Sequence, residues 1–123
     1  MTTEGPGPPH VDATTVARLV DDLGPDHVAA VCGLFLADAG ELVGALRAAC
    51  ESGDADAAAR AAHRLKSASG FVGAGGVSSL CAEVEHLARL DRLGEVGHRI
   101  DLTAHELERV SEELAALVRH RRL

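Results

Sequence analysis

A run of apolar side chains spaced by three or four residues extends between Pro25 and Gly53. An α-helix turns once in about 3.6 residues, so this spacing gathers the side chains on one face of a helix. The run comprises Val28, Val31, Phe35, Ala39, Leu42, Leu46 and Ala49. It predicts a long amphipathic helix whose apolar face packs against other helices.

Similar spacing occurs in four further segments, each bounded by residues that begin or end helices. Asp12 and Asp54 are favourable N-caps, and Gly24 is a favourable helix end. The five predicted helices run from Asp12 to Gly24, from Pro25 to Gly53, from Asp54 to about Val72, from Val77 to near Gly94, and on to about Arg121. Short loops between long helices predict an all-α fold, an antiparallel up-down-up-down four-helix bundle with the short N-terminal helix as a lid.

The composition excludes several classes of function. The chain has 123 residues, two Phe and neither Tyr nor Trp, which argues against aromatic stacking platforms for bases and against β-sandwiches. Its net charge of −7 disfavours binding to nucleic acid or to anionic membranes. The length suits one domain. We predict a disordered leader over residues 1–11 and one domain over residues 12–122.

The same sequence predicts a cytoplasmic, free-standing protein. The N-terminal residues are polar and rich in proline, unlike a signal peptide, and no apolar run is expected to approach the roughly 18 residues of a membrane span. The three cysteines, Cys32, Cys50 and Cys81, have apolar neighbours and no C-x-x-C spacing, so we expect buried, reduced thiols.

The most informative side chain is His63 in the third predicted helix. On a helical projection it lies opposite the apolar stripe, so we expect it to face water. The stripe consists of Ala58, Ala61, Leu65, Ala68, Ser69 and Val72. The residues expected on the histidine's side are Asp56, Ala59, Arg60, Lys66, Ser67 and Gly70. Several of these are small, which predicts a low surface around an exposed imidazole.

An exposed imidazole beside a lysine suits the carriage of a phosphoryl group. The neutral ring is a nucleophile, and Lys66, with Arg60 or Arg64, could offset the roughly two negative charges that a phosphoryl group brings. On the sequence alone we expect no paired carboxylate beside His63, and the glycines at 73–76 lack the pattern of a nucleotide-binding loop. A partner would therefore have to load and unload the histidine.

A longer motif surrounds this histidine. His63-Arg-Leu-Lys66 is followed by Ser67-Ala-Ser, then by Gly73-Ala74 and by Val77-x-x-Leu80-Cys81-x-x-Val84-Glu85. This pattern resembles the histidine-containing phosphotransfer (HPt) domain of bacterial phosphorelays, and the resemblance covers about residues 12–120. Ser67 stands where that family usually has glycine, which puts the rate of transfer or the choice of partner in question.

The resemblance implies roles for individual residues. His63 would be the phosphoacceptor and Lys66 the residue that stabilises phosphohistidine and orients the transfer. The expected partners are receiver domains of response regulators or hybrid sensor kinases, which would supply Mg²⁺ and their own catalytic residues. This protein would then be a monomeric phosphocarrier with no cofactor and no ATP-dependent kinase activity. The residues expected to dock the receiver are Ala59, Arg60, Arg64, Ser67 and Gly70.

Two other functions are compatible with a helical bundle. Glu83 and His86, and likewise Glu95 and His98, have the Glu-x-x-His spacing of carboxylate-bridged metal sites. Glu83 and His86 flank the apolar stripe of their helix and Glu95 lies beside Gly94 at a predicted loop, so solvent-exposed positions explain both pairs better. The other alternative is an interaction scaffold that is not phosphorylated, against which the presence of both His63 and Lys66 argues.

Overall fold

Five α-helices make up the protein in a computed structural model that describes the backbone of residues 9–122 and the side chains of residues 9–120. The helices are α1 (Ala13–Leu23), α2 (Pro25–Ser52), α3 (Ala55–Phe71), α4 (Gly75–Arg89) and α5 (Gly97–Arg122), with a 3-10 turn at Leu93–Glu95. Residues 9–122 contain no β-strand. The all-helical prediction is therefore confirmed.

The predicted helix caps are confirmed by their hydrogen bonds. The Asp12 carboxylate accepts from the backbone N–H of Thr14 at 3.0 Å, and the Asp54 carboxylate accepts from that of Ala57 at 3.0 Å. Each bond satisfies a backbone donor that the first turn of a helix leaves free. Gly53 ends α2 in the left-handed conformation, with φ of 73°. These local signals position both ends of the α2–α3 connection.

Helix α4 ends earlier than the sequence indicates. We expected its end near Gly94, but the helix ends at Arg89. Asp91 adopts a left-handed conformation with φ of 58°, and the N–H of Arg92 donates back to the carbonyl of Leu87 at 2.9 Å. This hydrogen bond closes the helix as a Schellman motif does. Glycine usually occupies such a position, so an aspartate there gave no signal of the helix end.

The helices enclose one apolar core. Helix α2 packs on α3 and α5, α4 packs on the same two helices, and α1 lies against α2 and α5. The contact between α3 and α4 is the most extensive. The largest fully buried side chains are Leu46, Leu65, Ile100, Leu114, Val11, Val16, Val28, Val72, Val77, Val84, Val96 and Val110. Burying each of these aliphatic side chains stabilises the fold by roughly 1.5–3 kcal/mol.

Helix α2 is more apolar than we expected from the sequence. An 18-residue window within Pro25–Ser52 has a mean hydropathy of 1.7, so this helix has the length and composition of a membrane span. The expectation that no apolar run approaches that length was therefore wrong. A core helix of a bundle passes the same test, and α2 buries Val28, Phe35, Leu42 and Leu46 within this fold.

The predicted leader is shorter than expected at its C-terminal end. Residues 1–8 lie outside the described residues. The backbone N–H groups of His10 and Val11 donate to the Glu113 carboxylate of α5 at 2.8 and 2.9 Å, and the Val11 side chain is buried. These two residues were expected to be disordered, but here burial and hydrogen bonds hold them against the bundle. The division at residue 12 otherwise stays a prediction.

Gly73 allows the loop between α3 and α4 to approach the start of α1 closely. Its φ is +80°, and its carbonyl accepts from the N–H of Asp12 at 2.9 Å. A Cβ atom at this position would lie 3.0 Å from Cβ of Thr15 and 3.2 Å from the carbonyl oxygen of Asp12. Only glycine combines this conformation with this contact.

Replacing Gly73 by Ala should therefore destabilise the protein. We expect G73A to lower the free energy of unfolding by about 1–3 kcal/mol, through strain at positive φ and crowding against Thr15. Urea denaturation followed by circular dichroism measures this change. The matched control is G44A, at an exposed helix position where, apart from the backbone of its own helix and the adjacent residues, no described atom lies within 4 Å of the added Cβ. It should raise stability by about 1 kcal/mol. A G73A protein as stable as the wild type would contradict this account of the loop.

Candidate functional site

His63 lies on the outer face of α3. Its side chain is 56% exposed, whereas Ala58, Ala62 and Leu65 of the same helix are completely buried. The helical period places these residues on the opposite or flanking sides of α3 from the histidine. The expectation that the imidazole faces water is confirmed.

A carboxylate of the next helix is hydrogen-bonded to this imidazole. The Nδ1 atom of His63 lies 3.0 Å from Oε2 of Glu85 in α4. Glu85 is only 7% exposed. The expectation that no paired carboxylate lies beside His63 was therefore wrong. In the sequence, Glu85 belongs to the motif but is not predicted to contact His63. Its helical spacing from the buried Val77, Cys81 and Ala88 is a signal of a buried charge that could have identified it.

Two cations share the same carboxylate. Nζ of Lys66 donates to Oε1 of Glu85 at 2.8 Å. Nη2 and Nε of Arg89 donate to Oε2 at 2.9 and 3.2 Å. Lys66 therefore lies beside His63, as expected, but its ammonium binds Glu85. The four side chains, which we call the Glu85 cluster, consist of His63, Lys66, Glu85 and Arg89.

The surrounding donors keep Glu85 ionised. The hydrogen bond from Lys66 contributes most to lowering the pKa of Glu85, and the hydrogen bond from Arg89 lowers it further. Burial raises this pKa, but the two hydrogen bonds outweigh burial, so the pKa falls to about 2. An ionised carboxylate can only accept hydrogen bonds. Nδ1 of His63 must therefore carry the hydrogen, and in the neutral ring Nε2 keeps its free electron pair.

Ala59 does not belong to the exposed surface around His63. We expected it to contact a partner, but it is 2% exposed and lies with the equally buried Ala88 between α3 and α4. A helical projection places Ala59 on the same side of His63 as Lys66, and α4 covers that side. Its small side chain serves the close packing of these two helices.

The other expected docking residues are exposed. Arg60 forms an ion pair with Asp56, and Nη2 of Arg64 lies 3.8 Å from the Asp38 carboxylate of α2. Ser67 and Gly70 continue the histidine's face toward the C-terminal end of α3 and are exposed as well. Apart from the backbone of its own helix and the adjacent residues, no described atom lies within 4 Å of a Cβ placed at Gly70, so packing within the protein does not require a glycine there.

An exposed apolar patch adjoins this face on the side of α2. Leu34 is 72% exposed and Phe71 is 56% exposed, although both are large apolar side chains. Together with Val31 and Ala68 they line a shallow groove between α2 and α3. Phe71 lies two turns from His63 along α3. We call these four residues the α2–α3 patch. Exposed apolar residues of neighbouring helices are expected around His63, but helical spacing alone does not tell which apolar residues remain uncovered.

The two Glu-x-x-His pairs are not arranged as a metal site. Glu83 forms an ion pair with Arg99 at 3.2 Å, and Glu95 forms one with Arg92. Within residues 9–120 no group of three or more His, Cys, Asp or Glu side chains has a geometry that could hold a metal ion. Arginine partners for both glutamates support the interpretation of these pairs as solvent-exposed faces.

The cysteines take no part in the Glu85 cluster. All three are free thiols, with Cys32 and Cys81 buried and Cys50 partly exposed. Burial raises the pKa of Cys81 to about 12, although Lys66 nearby opposes this shift. A thiol with such a pKa stays protonated and unreactive near neutral pH.

Replacing Glu85 by Gln should make stability less dependent on pH. Because folding lowers the pKa of this carboxyl from 4.5 to about 2, its charge stabilises the folded state above about pH 5, and this stabilisation is lost as the pH falls toward 2. We expect E85Q to be less stable than the wild type by on the order of 1–2 kcal/mol at neutral pH, allowing for solvent screening by the exposed partners, and the gap should narrow on acidification. Urea denaturation between pH 7 and pH 3 measures it.

The matched control is E83Q, two residues earlier in α4. Glu83 is exposed and forms a surface ion pair with Arg99, which typically contributes less than about 1 kcal/mol. We expect its stability to follow that of the wild type at each pH. An E85Q deficit that stays constant down to pH 3 would contradict the assignment of an ionised Glu85.

The chain is similar to known proteins in sequence and in fold. A family model described as the Hpt domain matches residues 30–120. The crystal structure of histidine-containing phosphotransfer protein B (HptB) from Pseudomonas aeruginosa PAO1 is similar, with a TM-score of 0.84 and 27% sequence identity over 91% of this chain and 96% of that one. A search of curated proteins finds no significant match. The chain belongs to the Hpt domain family.

Proposed function

We propose that this protein carries phosphoryl groups between receiver domains, with His63 as the acceptor. The observation that carries the proposal is the hydrogen bond from Nδ1 of His63 to Glu85, which leaves Nε2 as a free nucleophile on an exposed ring. Neither a nucleotide-binding motif nor a metal cluster occurs in the described part of the chain. Membership of the Hpt family supports a phosphocarrier without its own kinase activity.

The proposed step exchanges one bond to phosphorus for another. Nε2 of His63 attacks the phosphorus of an aspartyl phosphate, the N–P bond forms, and the P–O bond to the aspartate breaks with release of its carboxylate. The electron pair of Nε2 enters the new bond, so the ring becomes positively charged while Nδ1 keeps its hydrogen. Glu85 stabilises that charge at 3.0 Å, as the buried carboxylate does in serine protease triads. The reverse attack by a second receiver's aspartate returns the ring to neutrality.

Lys66 is the cation proposed to offset the transferred phosphoryl group. Phosphoryl transfer depends mostly on positioning and on neutralisation of the oxygens' charge. Lys66 lies one turn from His63 on the same face, as residues three apart in a helix do. The receiver would supply Mg²⁺ and its own catalytic side chains, so this chain needs no cofactor.

The docking surface proposed for the receiver is the α2–α3 patch together with Ser67 and Gly70. It borders His63, and exposed large apolar residues gathered beside polar ones are typical of protein-binding surfaces. Arg60 and Arg64 lie at its edge, where each pairs with an aspartate of this chain. We expect them to turn to the acidic residues that a receiver needs to bind Mg²⁺ when the two proteins dock.

The order of the helices, the oligomeric state and the location of the protein are part of the same proposal. We expect the four long helices to run antiparallel in up-down-up-down order, because short connections join them, with α1 closing one end. A cytoplasmic monomer is the state in which the exposed face of α3 stays available to successive receivers.

Transfer of label from a phosphorylated receiver tests the acceptor. Incubating the wild type with a receiver labelled on its aspartate should give label that is acid-labile and base-stable, as phosphohistidine is. H63Q should take up no label, since glutamine offers no nucleophilic nitrogen. The measurement is scintillation counting after separation of the two proteins.

The matched control is H86Q, an exposed histidine of α4, which should accept label at the wild-type rate. Label that persists in H63Q would contradict the assignment of the acceptor. A wild type that takes no label from any receiver of its source organism, yet binds them, would favour the scaffold function.

Replacing Leu34 by Asp should weaken docking. Leu34 is the most exposed large apolar residue of the α2–α3 patch, so L34D should leave folding intact while lowering affinity for the receiver by about tenfold or more. Isothermal titration calorimetry measures this affinity. L102D is the matched control, since Leu102 is exposed on α5, which packs on α2 and α4. Equal losses in both variants would contradict the assignment of the patch.

A further inference from the structure

Oε2 of Glu85 receives more donors than the other carboxylate oxygen. Nδ1 of His63 and two nitrogens of Arg89 lie between 2.9 and 3.2 Å from it, whereas Oε1 is hydrogen-bonded to Lys66 at 2.8 Å. Arg89 follows Glu85 by one turn of α4, and its side chain is 58% exposed. Arg89 is the one member of the Glu85 cluster that has no role in the transfer step proposed above.

Phosphorylation of His63 would give the Lys66 ammonium a second anionic group to neutralise. Its ammonium is already neutralised by Glu85, because a charge-assisted hydrogen bond of 2.8 Å joins them. Glu85 faces Nδ1, whereas the proposed phosphoryl group would be on Nε2 of the same ring. Lys66 would therefore have to turn away from Glu85 in order to offset the charge of that group.

That movement would leave Oε1 of Glu85 without a donor, because the ring of His63 is bonded to Oε2 alone. A carboxylate that is 7% exposed loses most of its hydration, so an oxygen of it without a hydrogen-bond donor is unfavourable. A guanidinium has five donors arranged as a fork that fits both oxygens of a carboxylate. Arg89 already holds Oε2 and is exposed enough to shift toward Oε1.

We propose that Arg89 is a positioning residue that retains the Glu85 carboxylate when Lys66 turns to the phosphoryl group on His63. The inference rests on the proposed function. Arg89 itself does not touch the phosphoryl group. Its effect reaches the site through Glu85 and Lys66, so Arg89 should influence phosphohistidine only while Lys66 is present.

A double-mutant cycle on the full-length protein tests this dependence. The four proteins are the wild type, R89Q, K66A and the double variant, each labelled from a phosphorylated receiver. The measurement is the first-order loss of acid-labile label after the receiver is removed. We expect K66A and R89Q each to shorten the phosphohistidine lifetime by about 3- to 10-fold, the effect of losing one typical hydrogen bond at a partly exposed site. In the K66A background, R89Q should cause no further loss.

Two further variants separate positioning from a general effect on structure. R89K keeps a cation beside Glu85 and should restore at least half of the wild-type lifetime. R92Q removes an exposed arginine three residues later, which pairs with Glu95 outside the Glu85 cluster, and should behave as the wild type does. The free energy of unfolding of each variant is measured in parallel, and the lifetimes should not follow it.

Three outcomes would overturn the inference. A wild-type lifetime in R89Q would show that Lys66 is available without Arg89. Effects of R89Q and K66A that multiply would show that Arg89 acts independently, for instance by touching the phosphoryl group. Failure of R89K to restore the lifetime would show that charge at Glu85 is not what matters. A wild type that takes no label at all is a different result, because it would contradict the proposed function.

Discussion

The ion pairs of Glu85 join the two helices on which the site depends. A carboxylate placed among apolar residues of α4 must have cations close to it, and Lys66 of α3 supplies the strongest of these interactions. The same contact fixes how α3 lies along α4, because the pair forms only when both residues are at the same level. His63 lies one turn from Lys66, and its Nδ1 atom is hydrogen-bonded to the same Glu85 carboxylate that pairs with Lys66.

The two nitrogens of the imidazole have different environments in this arrangement. One ring nitrogen is bound to a buried carboxylate, and the other lies on a ring that is more than half exposed. The fixed hydrogen on Nδ1 determines which nitrogen can act as a nucleophile, without a base that removes a proton. In the proposed function, the metal ion and the leaving group that phosphoryl transfer also requires come from the partner.

The sides of α3 differ in what covers them. Leu65 and Ala58 enter the core, Ala59 lies where α4 comes close, and the histidine's side stays open to solvent. On the remaining flank, Phe71 of α3 and Leu34 of α2 leave apolar surface uncovered at the edge of the site. An acidic protein thus combines a small apolar patch, two surface arginines and the Glu85 cluster on one face.

The helices, the N-caps of α1 and α3 and the outward position of His63 could be predicted from the sequence, because caps and helical periodicity depend on residues within a few positions of one another. The sequence also contained the motif that places the chain in its family. The packing of α3 on α4 was needed to show that Glu85 binds the imidazole and that Ala59 is covered. The end of α4 at Arg89 could not be predicted because an aspartate adopts the left-handed conformation that glycine usually takes. His63 and Glu85 are 22 positions apart. A helical projection shows which residues share a face, but the packing of α3 on α4 determines what that face meets.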